Sequence, residues 1–416
     1  MIESIILKNN GDETDSIIDE MAALPNPGMP FASDTMDLLE KLSQRLLKDA
    51  QVRDHPDLAA LGFWLRRSQL TQMQQTFERS TPPTVVAAPR GLALHFPPAN
   101  IDAMMGYSWA LSALAGNRNI VRVSSRIGNS GQLLLKHISA SLAEAPVNLS
   151  QCNRFVRWPR NDETTSKSMS AVADVRVIWG GDSTILNIRQ VPVPAHSVEI
   201  SFPDRASFCV LASEKLSVLG KDSLSRLAKG FLDDVLTFDQ AACSSPHLLV
   251  FVGPKETCET SETMFTSALA EIIGDREVRS NDSQAIARNT YIHATATEGN
   301  IEHVEHIGYA LSLVKERSLD DGYDRGHCLG GLVHTCQVER ISDISSFVED
   351  RHQTLTHFGF SRAELIEFVF VLRGVGLTRL VDVGKALDFS HLWDGRELMG
   401  EFCSKVNVLT KTGHMP

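Results

Sequence analysis

The chain has 416 residues, of which 43% are hydrophobic and 22% are charged, a balance typical of a globular protein with two or three domains. Its formal net charge of -11 argues against binding to a nucleic-acid backbone, because such binding depends on clustered Lys and Arg. Residues 1–4 lack the features of a targeting signal, and the most apolar later stretch, 103–115, is interrupted by glycine and serine. We therefore expect no membrane span and a cytoplasmic location.

The first ninety residues are predicted to form a helical layer. A turn-rich connector, 25–30, precedes an apolar series at helical spacing that begins at Asp34. A second apolar series, 58–77, follows Pro56, and proline is favoured at the first position of a helix. This layer leads into two predicted strands, 84–88 and 92–96, around a turn.

Helices and strands then alternate along the chain. The predicted elements are a helix over 102–115, a strand over 119–123, a helix over 128–144, a strand near Phe155, a helix over 162–173 and a strand over 174–179. Such alternation indicates a parallel sheet covered by helices. Beyond Pro194 a second α/β region is predicted, with strands over 207–211 and 247–252, and turns at 320–322 and 330–331.

A glycine turn follows one of the predicted strands. Gly180 and Gly181 come directly after the strand that ends at Trp179, and Asp182 is a suitable residue for starting the next helix. This places the two glycines at the carboxyl edge of a parallel sheet, where nucleotide sites commonly lie. The chain has no GxGxxG fingerprint, and a glycine after a strand is usually only a turn.

Cys243 has the local features of a reactive thiol. It lies between a predicted helix and a predicted strand, and its neighbours Ala241, Ala242, Ser244 and Ser245 are all small. Small neighbours leave the sulfur approachable, and a thiolate attacks a carbonyl to form a thioester while a nearby amide N–H stabilises the oxyanion. The alternative is a buried, inert cysteine, the commonest state of a free Cys.

The other cysteines and the histidines are weaker candidates. Seven cysteines without CxxC pairs suggest neither a disulfide framework nor a metal site, and Cys209 lies in an apolar strand. Cys328 and Cys336 lack a usable metal spacing. Four histidines qualify as bases by residue type only, and a structural or surface role is expected for each of them: His95, His327, His352 and His357.

Several segments together resemble the LuxC family of acyl-CoA reductases, a divergent branch of the aldehyde dehydrogenase superfamily. The resemblance covers most of the chain and rests on residues 63–67 (FWLRR), 91–126, 177–182 (VIWGGD), 239–246 (DQAACSSP) and 382–395 (DVGKALDFSHLWDG). It implies an aldehyde dehydrogenase-like α/β fold, with a parallel Rossmann-type cofactor domain, an α/β catalytic domain and small oligomerisation elements.

The resemblance also implies domain boundaries. Residues 1–90 would form the helical layer and the start of the arm strands, and 91–200, with part of the carboxyl-terminal tail, the nicotinamide-cofactor domain. Residues 201–390 would form the catalytic domain, and 391–416 a tail that contributes to oligomerisation. The strands around Pro89 and this tail resemble elements through which the superfamily assembles, so a homo-oligomer is expected.

Residue roles follow from the same resemblance. Cys243 matches the superfamily's nucleophile, and Asn100 matches the asparagine whose amide binds the substrate oxyanion; Asn100 could alternatively cap the next helix. Arg122 and Ser124 match the positions that contact the adenosine ribose, and the turn at Gly180, Gly181 and Asp182 resembles the loop beside the cofactor's diphosphate. Arg122 replaces a lysine there, and an arginine binds phosphate in bidentate fashion, so NADPH is expected rather than NADH.

One departure from the superfamily concerns hydrolysis. Its oxidising members activate water with a glutamate in a Glu-Leu-Gly-Gly segment, whereas this chain has Glu199 in Val198-Glu199-Ile200-Ser201, either displaced or unrelated. Without a secure general base the acyl enzyme should hydrolyse slowly. We therefore expect reduction of an acyl thioester, carried by CoA or a carrier protein, to the aldehyde.

Two alternatives to this function stay open, and they differ in whether Cys243 reacts. The first is an acyltransferase or thioesterase that uses the same acyl-cysteine without reduction. The second is a non-catalytic member of a biosynthetic complex. An acyl-activating or acyl-transferring enzyme is the expected partner of a reductase, and no metal is expected.

Overall fold

The computed structural model describes residues 3–6, 14–159, 161–275, 282–297, 300–319 and 328–409. The strands are β1 (Glu3–Ile6), β2 (Val85–Pro89), β3 (Leu92–Phe96), β4 (Arg118–Arg122), β5 (Asn153–Arg157), β6 (Val175–Trp179), β7 (Val198–Phe202), β8 (Ala206–Ala212), β9 (Pro246–Val252), β10 (Ile301–Ile307), β11 (Leu311–Glu316), β12 (Leu332–Val338), β13 (His352–Phe358), β14 (Arg379–Asp382), β15 (Leu392–Trp393), β16 (Arg396–Glu397) and β17 (Cys403–Asn407).

The helices are α1 (Thr14–Ala23), α2 (Ser33–Lys48), α3 (Pro56–Trp64), α4 (Arg67–Ser80), α5 (Ala103–Leu114), α6 (Asn129–Ala143), α7 (Val147–Gln151), α8 (Glu163–Ala171), α9 (Asp182–Arg189), α10 (Ser213–Leu216), α11 (Lys221–Leu236), α12 (Lys255–Asp275), α13 (Asp282–Ala296), α14 (Arg362–Leu372) and α15 (Leu398–Glu401). Short 3₁₀ helices cover Ala50–Asp54, Thr237–Gln240 and Ile341–Ser346. None of the helices in the described part of the chain combines the length and the hydrophobicity that a membrane span requires.

The chain divides into two structural units. Unit 1 comprises the residues up to Pro203 together with those from Phe389 onward, and unit 2 comprises Asp204–Asp388. The sequence placed a boundary near residue 90, but the structure has the residues on both sides of it in unit 1. The reason is that α2 packs on α6 and is tied to it by polar contacts, including a 2.9 Å contact between Asp49, which follows α2, and His137 of α6.

Unit 1 is built on a six-stranded sheet with the order β1-β5-β4-β3-β6-β7. All neighbouring strands are parallel except β1, which pairs antiparallel with β5 at the edge. Omitting β1, the five remaining strands stand in the order third, second, first, fourth, fifth, which is the order of a dinucleotide-binding fold. The connection reverses direction between β3 and β6, so the crevice at their carboxyl ends is the expected ligand position.

Helix formation in unit 1 follows the predicted pattern with one interruption. The apolar series over 58–77 gives two helices, because α3 ends at Trp64 and Arg66 adopts an extended conformation before α4. The Arg66 guanidinium lies 4.1 Å from the centroid of the Phe63 ring, which holds the chain in this turn. Helix α5 is buried at every residue, since helices and sheet surround it.

The two strands around Pro89 form as predicted but do not pair with each other. Strand β2 pairs antiparallel with β17, the strand near the carboxyl end of the described chain, and together they make a separate two-stranded sheet. Strand β3 instead lies in the centre of the main sheet of unit 1. Both predicted strands are therefore present, and the partner of β2 is far away in sequence.

Unit 2 contains a seven-stranded sheet with the order β10-β11-β12-β9-β8-β13-β14. Only β10 is antiparallel, and the six other strands are parallel. The central strand β9 is buried along its whole length, and apolar clusters lie on both faces of the sheet. The turn predicted at 330–331 precedes β12, whereas the one predicted at 320–322 lies outside the described residues.

Candidate active site

Cys243 lies at the amino end of the central strand of unit 2. It sits in the turn between the 3₁₀ helix Thr237–Gln240 and β9, as the sequence predicted. Cys243 is partly exposed, whereas Ala242, Ser244 and Ser245 on either side of it are buried. The turn therefore presents one thiol from an otherwise buried segment.

Hydrogen bonds hold both peptide planes that meet at the Cα of Cys243. The carbonyl of Ala242 accepts from the backbone N–H of Ser245 at 2.9 Å, which closes the turn. The carbonyl of Cys243 accepts from the hydroxyl of Ser207, on β8, at 2.7 Å. The same hydroxyl accepts from the backbone N–H of Thr354 at 3.1 Å, so β8 and β13 both support the turn.

The backbone just before this turn is strained. Phe238, Asp239 and Gln240 have φ values of 62°, 53° and 63°, in the left-handed region that residues with a Cβ rarely adopt. Each such residue costs on the order of 1–2 kcal/mol. The strain lies within a few residues of the thiol, and surrounding contacts must hold it.

The side chain of Gln240 supplies several of those contacts. It is fully buried; its amide nitrogen donates to the carbonyls of Pro246 and Leu332, both at 2.8 Å, and its oxygen accepts from the N–H groups of Gly331 and Leu332, both at 3.1 Å. The backbone adds a bond from Gly330 N–H to the Asp239 carbonyl at 2.9 Å. These bonds join the strained segment to the starts of β9 and β12.

Burial disfavours the thiolate form of the remaining six cysteines. Burial raises the pKa of Cys152 to about 11 and that of Cys403 to about 12. Burial also raises the pKa of the four others, Cys209, Cys258, Cys328 and Cys336. Of these six, only Cys328 is partly exposed. Because the thiolate is the reactive form, a raised pKa disfavours attack on a carbonyl.

The described histidines among those considered as bases are buried or partly buried. His95 is fully buried in β3 and contacts Ser108 and Asn119, and burial lowers its pKa to about 4. His352 is buried and its Nδ1 accepts from the N–H of Glu349 at 2.8 Å. Burial also lowers the pKa of His357, while the charge of Asp382 opposes this. His327 lies outside the described residues.

Glu199 is part of an ion-pair network in unit 1. One carboxylate oxygen accepts from Arg176 at 2.9 and 2.5 Å, and the other accepts from Arg189 at 2.6 Å. Arg176 is buried and faces Glu199 from the neighbouring strand. Both carboxylate oxygens are thus occupied by guanidinium groups, so a structural role explains this residue.

The predicted site residues of unit 1, catalytic and cofactor-binding, follow three neighbouring strands. Asn100 is exposed and lies after β3, Ser124 lies after β4, and Gly180 and Gly181 follow β6. The order β4-β3-β6 brings these segments to one edge of the sheet, at its carboxyl ends. Asn100 stands two residues before Asp102, the residue that precedes α5.

The glycine turn leaves open space at the start of α9. Gly180 has a φ of 156°, and Gly181 is the residue before the helix. A Cβ added at Gly181 would meet nothing within 4 Å. Asp182 is the first helical residue and is exposed, where a negative charge favours the helix start.

Arg122 is the last residue of β4. Its guanidinium donates to the carbonyl of Trp158 at 3.2 Å and lies 5.4 Å from the centroid of the Trp158 ring. In the turn that follows, the hydroxyl of Ser124 accepts from the N–H of Arg126 at 3.1 Å. These contacts hold a cationic group at the carboxyl ends of β4 and β5.

Solved structures define the class of fold. The structure is similar to a putative aldehyde dehydrogenase from Burkholderia cenocepacia, with a TM-score of 0.68, 12% identity, and coverage of 98% of this chain and 95% of that one. It is also similar to an NAD-dependent aldehyde dehydrogenase from Sinorhizobium meliloti, with a TM-score of 0.69, 11% identity, and coverage of 97% and 88%. The expected aldehyde dehydrogenase-like fold is confirmed.

The family within this class follows from the sequence. The profile of the family described as acyl-CoA reductase (LuxC) matches residues 66–404, and the chain belongs to this family. The resemblance inferred from the sequence is thereby confirmed.

Two relatives share the same printed name. The chain is 22% identical over 304 residues to the long-chain acyl-protein thioester reductase of Vibrio harveyi, covering 72% of this chain and 60% of that protein. It is 25% identical over 170 residues to the protein of that name from Aliivibrio fischeri, covering 41% and 33%. The chain thus spans at most about 60% of the length of these relatives.

Two supports of the Cys243 turn were missed from the sequence. Ser207 is 36 residues from Cys243, and Leu332 is 92 residues from Gln240. No local pattern marks a serine in an apolar strand as a partner of a distant turn. The glycine pair at 330–331 was recognised only as a turn, although it is the segment that Gln240 and Asp239 bind.

Proposed function

We propose that this protein reduces an acyl thioester to the corresponding aldehyde through an acyl intermediate on Cys243. The observation that carries the proposal is the Cys243 turn, in which a partly exposed thiol has both flanking peptide planes held by hydrogen bonds. Family membership supports the same chemistry, because a thioester reductase of this kind needs a nucleophile that exchanges one thioester for another.

The first chemical step is acyl transfer to the protein. The Cys243 thiolate attacks the carbonyl carbon of the substrate, and a new C–S bond forms as the bond to the carrier sulfur breaks. The carrier departs as a thiolate, which takes up a proton, and the acyl group remains on Cys243. The proposed oxyanion donors are the backbone N–H of Cys243 and the side-chain amide of Asn100.

The residues of unit 1 fit a dinucleotide. The strand order, the open space at Gly181 and the cationic group of Arg122 are suited to a ligand with a diphosphate and a ribose. Gly180 and Gly181 would let the backbone approach the diphosphate, and Asp182 would start the helix beside it. Ser124 would contact the adenosine ribose. When bound, a nicotinamide cofactor supplies the hydride that the reduction needs.

We propose NADPH as the preferred form of the cofactor. The additional 2′-phosphate of NADPH needs a cationic partner, and the guanidinium of Arg122 lies at the end of the strand beside β3. Its position over Trp158 limits its freedom, which lowers the entropy lost when it binds a phosphate. NADH is then the weaker ligand.

The proposed substrate is a long-chain acyl group attached to a protein or to CoA. The two relatives are named as long-chain acyl-protein thioester reductases, and the family description names acyl-CoA. An acyl-protein substrate requires an enzyme that loads the carrier, so we propose an acyl-activating or acyl-transferring enzyme as a partner.

Hydrolysis and simple transfer are the competing outcomes for the acyl enzyme. Both carboxylate oxygens of Glu199 are engaged by arginines, which leaves it poorly suited to activate water. This observation favours an acyl enzyme that persists until it is reduced. A thioesterase would release free acid without oxidising NADPH, and an acyltransferase would deliver the acyl group to an acceptor.

We also propose that the β2–β17 sheet mediates homo-oligomer formation. Only these two strands make up this sheet, and Val86 and Val406 are paired in it and about half exposed. Apolar side chains on a small, open sheet favour pairing with another chain. Sedimentation of Val86→Lys beside the unmodified protein tests this, because the proposal expects the variant to be smaller and an unchanged mass would contradict it.

The functional test combines substrate scope with a covalent readout. Purified protein is incubated with acyl-CoA and acyl-carrier substrates of increasing chain length, and aldehyde formation and NADPH oxidation are measured together. We expect one aldehyde per NADPH oxidised, and loss of both in Cys243→Ala. Release of free acid or transferred acyl groups without cofactor oxidation would instead establish one of the competing activities.

A further inference from the structure

The strained segment before Cys243 needs an external support. Three consecutive residues, Phe238, Asp239 and Gln240, adopt left-handed conformations without being glycine. Without tertiary contacts, such a segment would relax toward ordinary backbone angles, and the turn that follows it would move as well. The orientation of the thiol therefore depends on whatever holds this segment.

The Gln240 amide is matched to its surroundings at every hydrogen-bonding position. Its nitrogen faces two carbonyls, those of Pro246 and Leu332, and its oxygen faces two N–H groups, those of Gly331 and Leu332. The contact also requires a glycine, because Gly331 has a φ of 83° and an added Cβ would lie 2.1 Å from the Ala310 carbonyl. Only an amide of this size satisfies all four groups.

A second support acts on Cys243 itself. The Ser207 hydroxyl fixes the carbonyl of Cys243, and the Ser245 N–H fixes the carbonyl of Ala242. In a trans peptide the N–H points opposite to the carbonyl, so the bond to Ala242 also sets the direction of the Cys243 N–H. Two hydrogen bonds thus orient the nucleophile and its proposed oxyanion donor together.

We propose that Ser207 and Gln240 are positioning residues for Cys243. Gln240 holds the strained segment against the starts of β9 and β12, and Ser207 holds the peptide plane that follows the thiol. Neither residue is placed in contact with the substrate, and the proposal rests on the proposed function of Cys243. Ser207 and Gln240 orient the thiol and the backbone N–H of Cys243. They do not set the fraction of Cys243 that is present as thiolate.

The primary variant is Ser207→Ala, with Ser261→Ala as its matched control. Ser261 is also a fully buried serine of unit 2, and its hydroxyl donates to the Ser213 carbonyl at 2.9 Å. Both substitutions remove a buried hydroxyl bonded to a carbonyl, which costs each variant a similar amount of stability, and Ser207→Ala also removes the acceptor of the Thr354 N–H. Gln240→Glu is the second variant, because a carboxylate of the same size cannot donate to the Pro246 and Leu332 carbonyls.

Three measurements separate positioning from a general structural role. Acylation of Cys243 by acyl-CoA should slow about 10- to 100-fold in Ser207→Ala, because misplacing a reacting group by about 1 Å has effects of this size. Alkylation of Cys243 by iodoacetamide, a small reagent that needs only an exposed thiolate, should stay within about 3-fold. Hydrogen exchange in residues 240–246 should become faster. Ser261→Ala should change none of the three.

Each outcome either supports the positioning role or overturns it. Acylation at the unmodified rate in both Ser207→Ala and folded Gln240→Glu would overturn the proposal, as would an equal loss in Ser261→Ala. If Gln240→Glu fails to fold, Ser207→Ala alone decides. If acyl-CoA does not label Cys243 even in the unmodified protein, the proposed function fails. Hydrogen exchange in 240–246 then still tests the positioning role, which requires faster exchange in Ser207→Ala and no change in Ser261→Ala.

Discussion

The two units place their candidate residues by different means. In unit 1, Asn100, Ser124 and Gly180 reach one edge of the sheet because each follows a parallel strand. In unit 2, Cys243 precedes its strand, and a strained backbone and buried side-chain bonds hold it there. The difference indicates that strand order alone suffices for the proposed ligand of the unit 1 loops, whereas the proposed nucleophile of unit 2 needs a fixed direction as well.

The largest expected effect separates Cys243 from the other partly exposed cysteine. Cys243→Ser should reduce aldehyde formation at least about 1000-fold, because removal of a covalent nucleophile abolishes the acyl intermediate. Cys328→Ser should retain activity within about 2-fold, since the raised pKa of the Cys328 thiol disfavours its reaction. Intact-mass measurement after incubation with acyl-CoA checks both. An acyl adduct that disappears in Cys328→Ser would contradict the assignment.

A smaller loss is expected in unit 1 at Asn100. Asn100→Ala should lower kcat about 100- to 1000-fold, the usual cost of removing an oxyanion donor. Its exposure predicts little change in thermal stability. The control is Asn148→Ala, an exposed asparagine on α7, which should keep full activity. If kcat of Asn100→Ala falls by less than about 3-fold, Asn100 is not an oxyanion donor in this mechanism.

The next effect concerns cofactor choice. Arg122→Gln should raise KM for NADPH about 10- to 100-fold, the range expected when a charge-assisted hydrogen bond is lost. KM for NADH should change far less, which makes NADH the internal control. Steady-state kinetics with both cofactors checks this expectation. Equal losses for the two cofactors would mean that Arg122 does not distinguish them.

The smallest expected effect is an opposite response of the two units to acid. Burial lowers the pKa of His95 in unit 1 to about 4 and raises that of Asp234 in unit 2 to about 7. Asp234 accepts from the N–H groups of Gly384 and Ala386, and the nearby carboxylates Asp233 and Asp388 add to its raised pKa.

The sign of each contribution follows from which state holds the proton. The His95 contribution to stability is complete above the ordinary histidine value of 6.5 and is lost as the pH falls through 4. The Asp234 contribution is complete below the ordinary value of 3.8 and is lost as the pH rises through 7. Between pH 7 and 5, each group therefore changes the free energy of unfolding by at most about 1.4 kcal/mol per pH unit, in opposite directions.

Hydrogen-exchange protection factors measured in β3 and in α11 at pH 7 and pH 5 test this pair. On acidification we expect His95 to lower protection in β3 and Asp234 to raise it in α11. Asp234→Asn should remove the pH dependence in α11 and leave that of β3 unchanged. Parallel responses of the two elements in the unmodified protein and in the variant would contradict the assignment of these two groups.

The sequence predicted the elements of unit 1 well because they are local. The strands and helices from 102 to 179 alternate with clear apolar runs and turn residues, and the observed elements from α5 to β6 follow that order, with the short helix α7 as an unpredicted addition. The pairing of β2 could not be found in this way. Its partner, β17, lies more than 300 residues later, and no local pattern specifies a partner at such a distance.

The candidate site also combines features that local sequence predicts with features that depend on distant contacts. The position of Cys243 in a turn before a strand was predicted from small neighbours and the elements around it. The left-handed conformation of Phe238, Asp239 and Gln240 was not predictable, because none of the three is a glycine. It exists because Gln240 binds the start of β12, a tertiary contact that one sequence does not reveal.

The proposed reduction requires that Cys243 carries the acyl group. The most direct measurement is the intact mass of the protein after mixing with acyl-CoA, before and after addition of NADPH, with peptide mapping of the adduct. We expect one acyl group on Cys243 that disappears on addition of NADPH as an equal amount of aldehyde forms. Aldehyde formation from a protein that never carries an acyl group on Cys243 would contradict it.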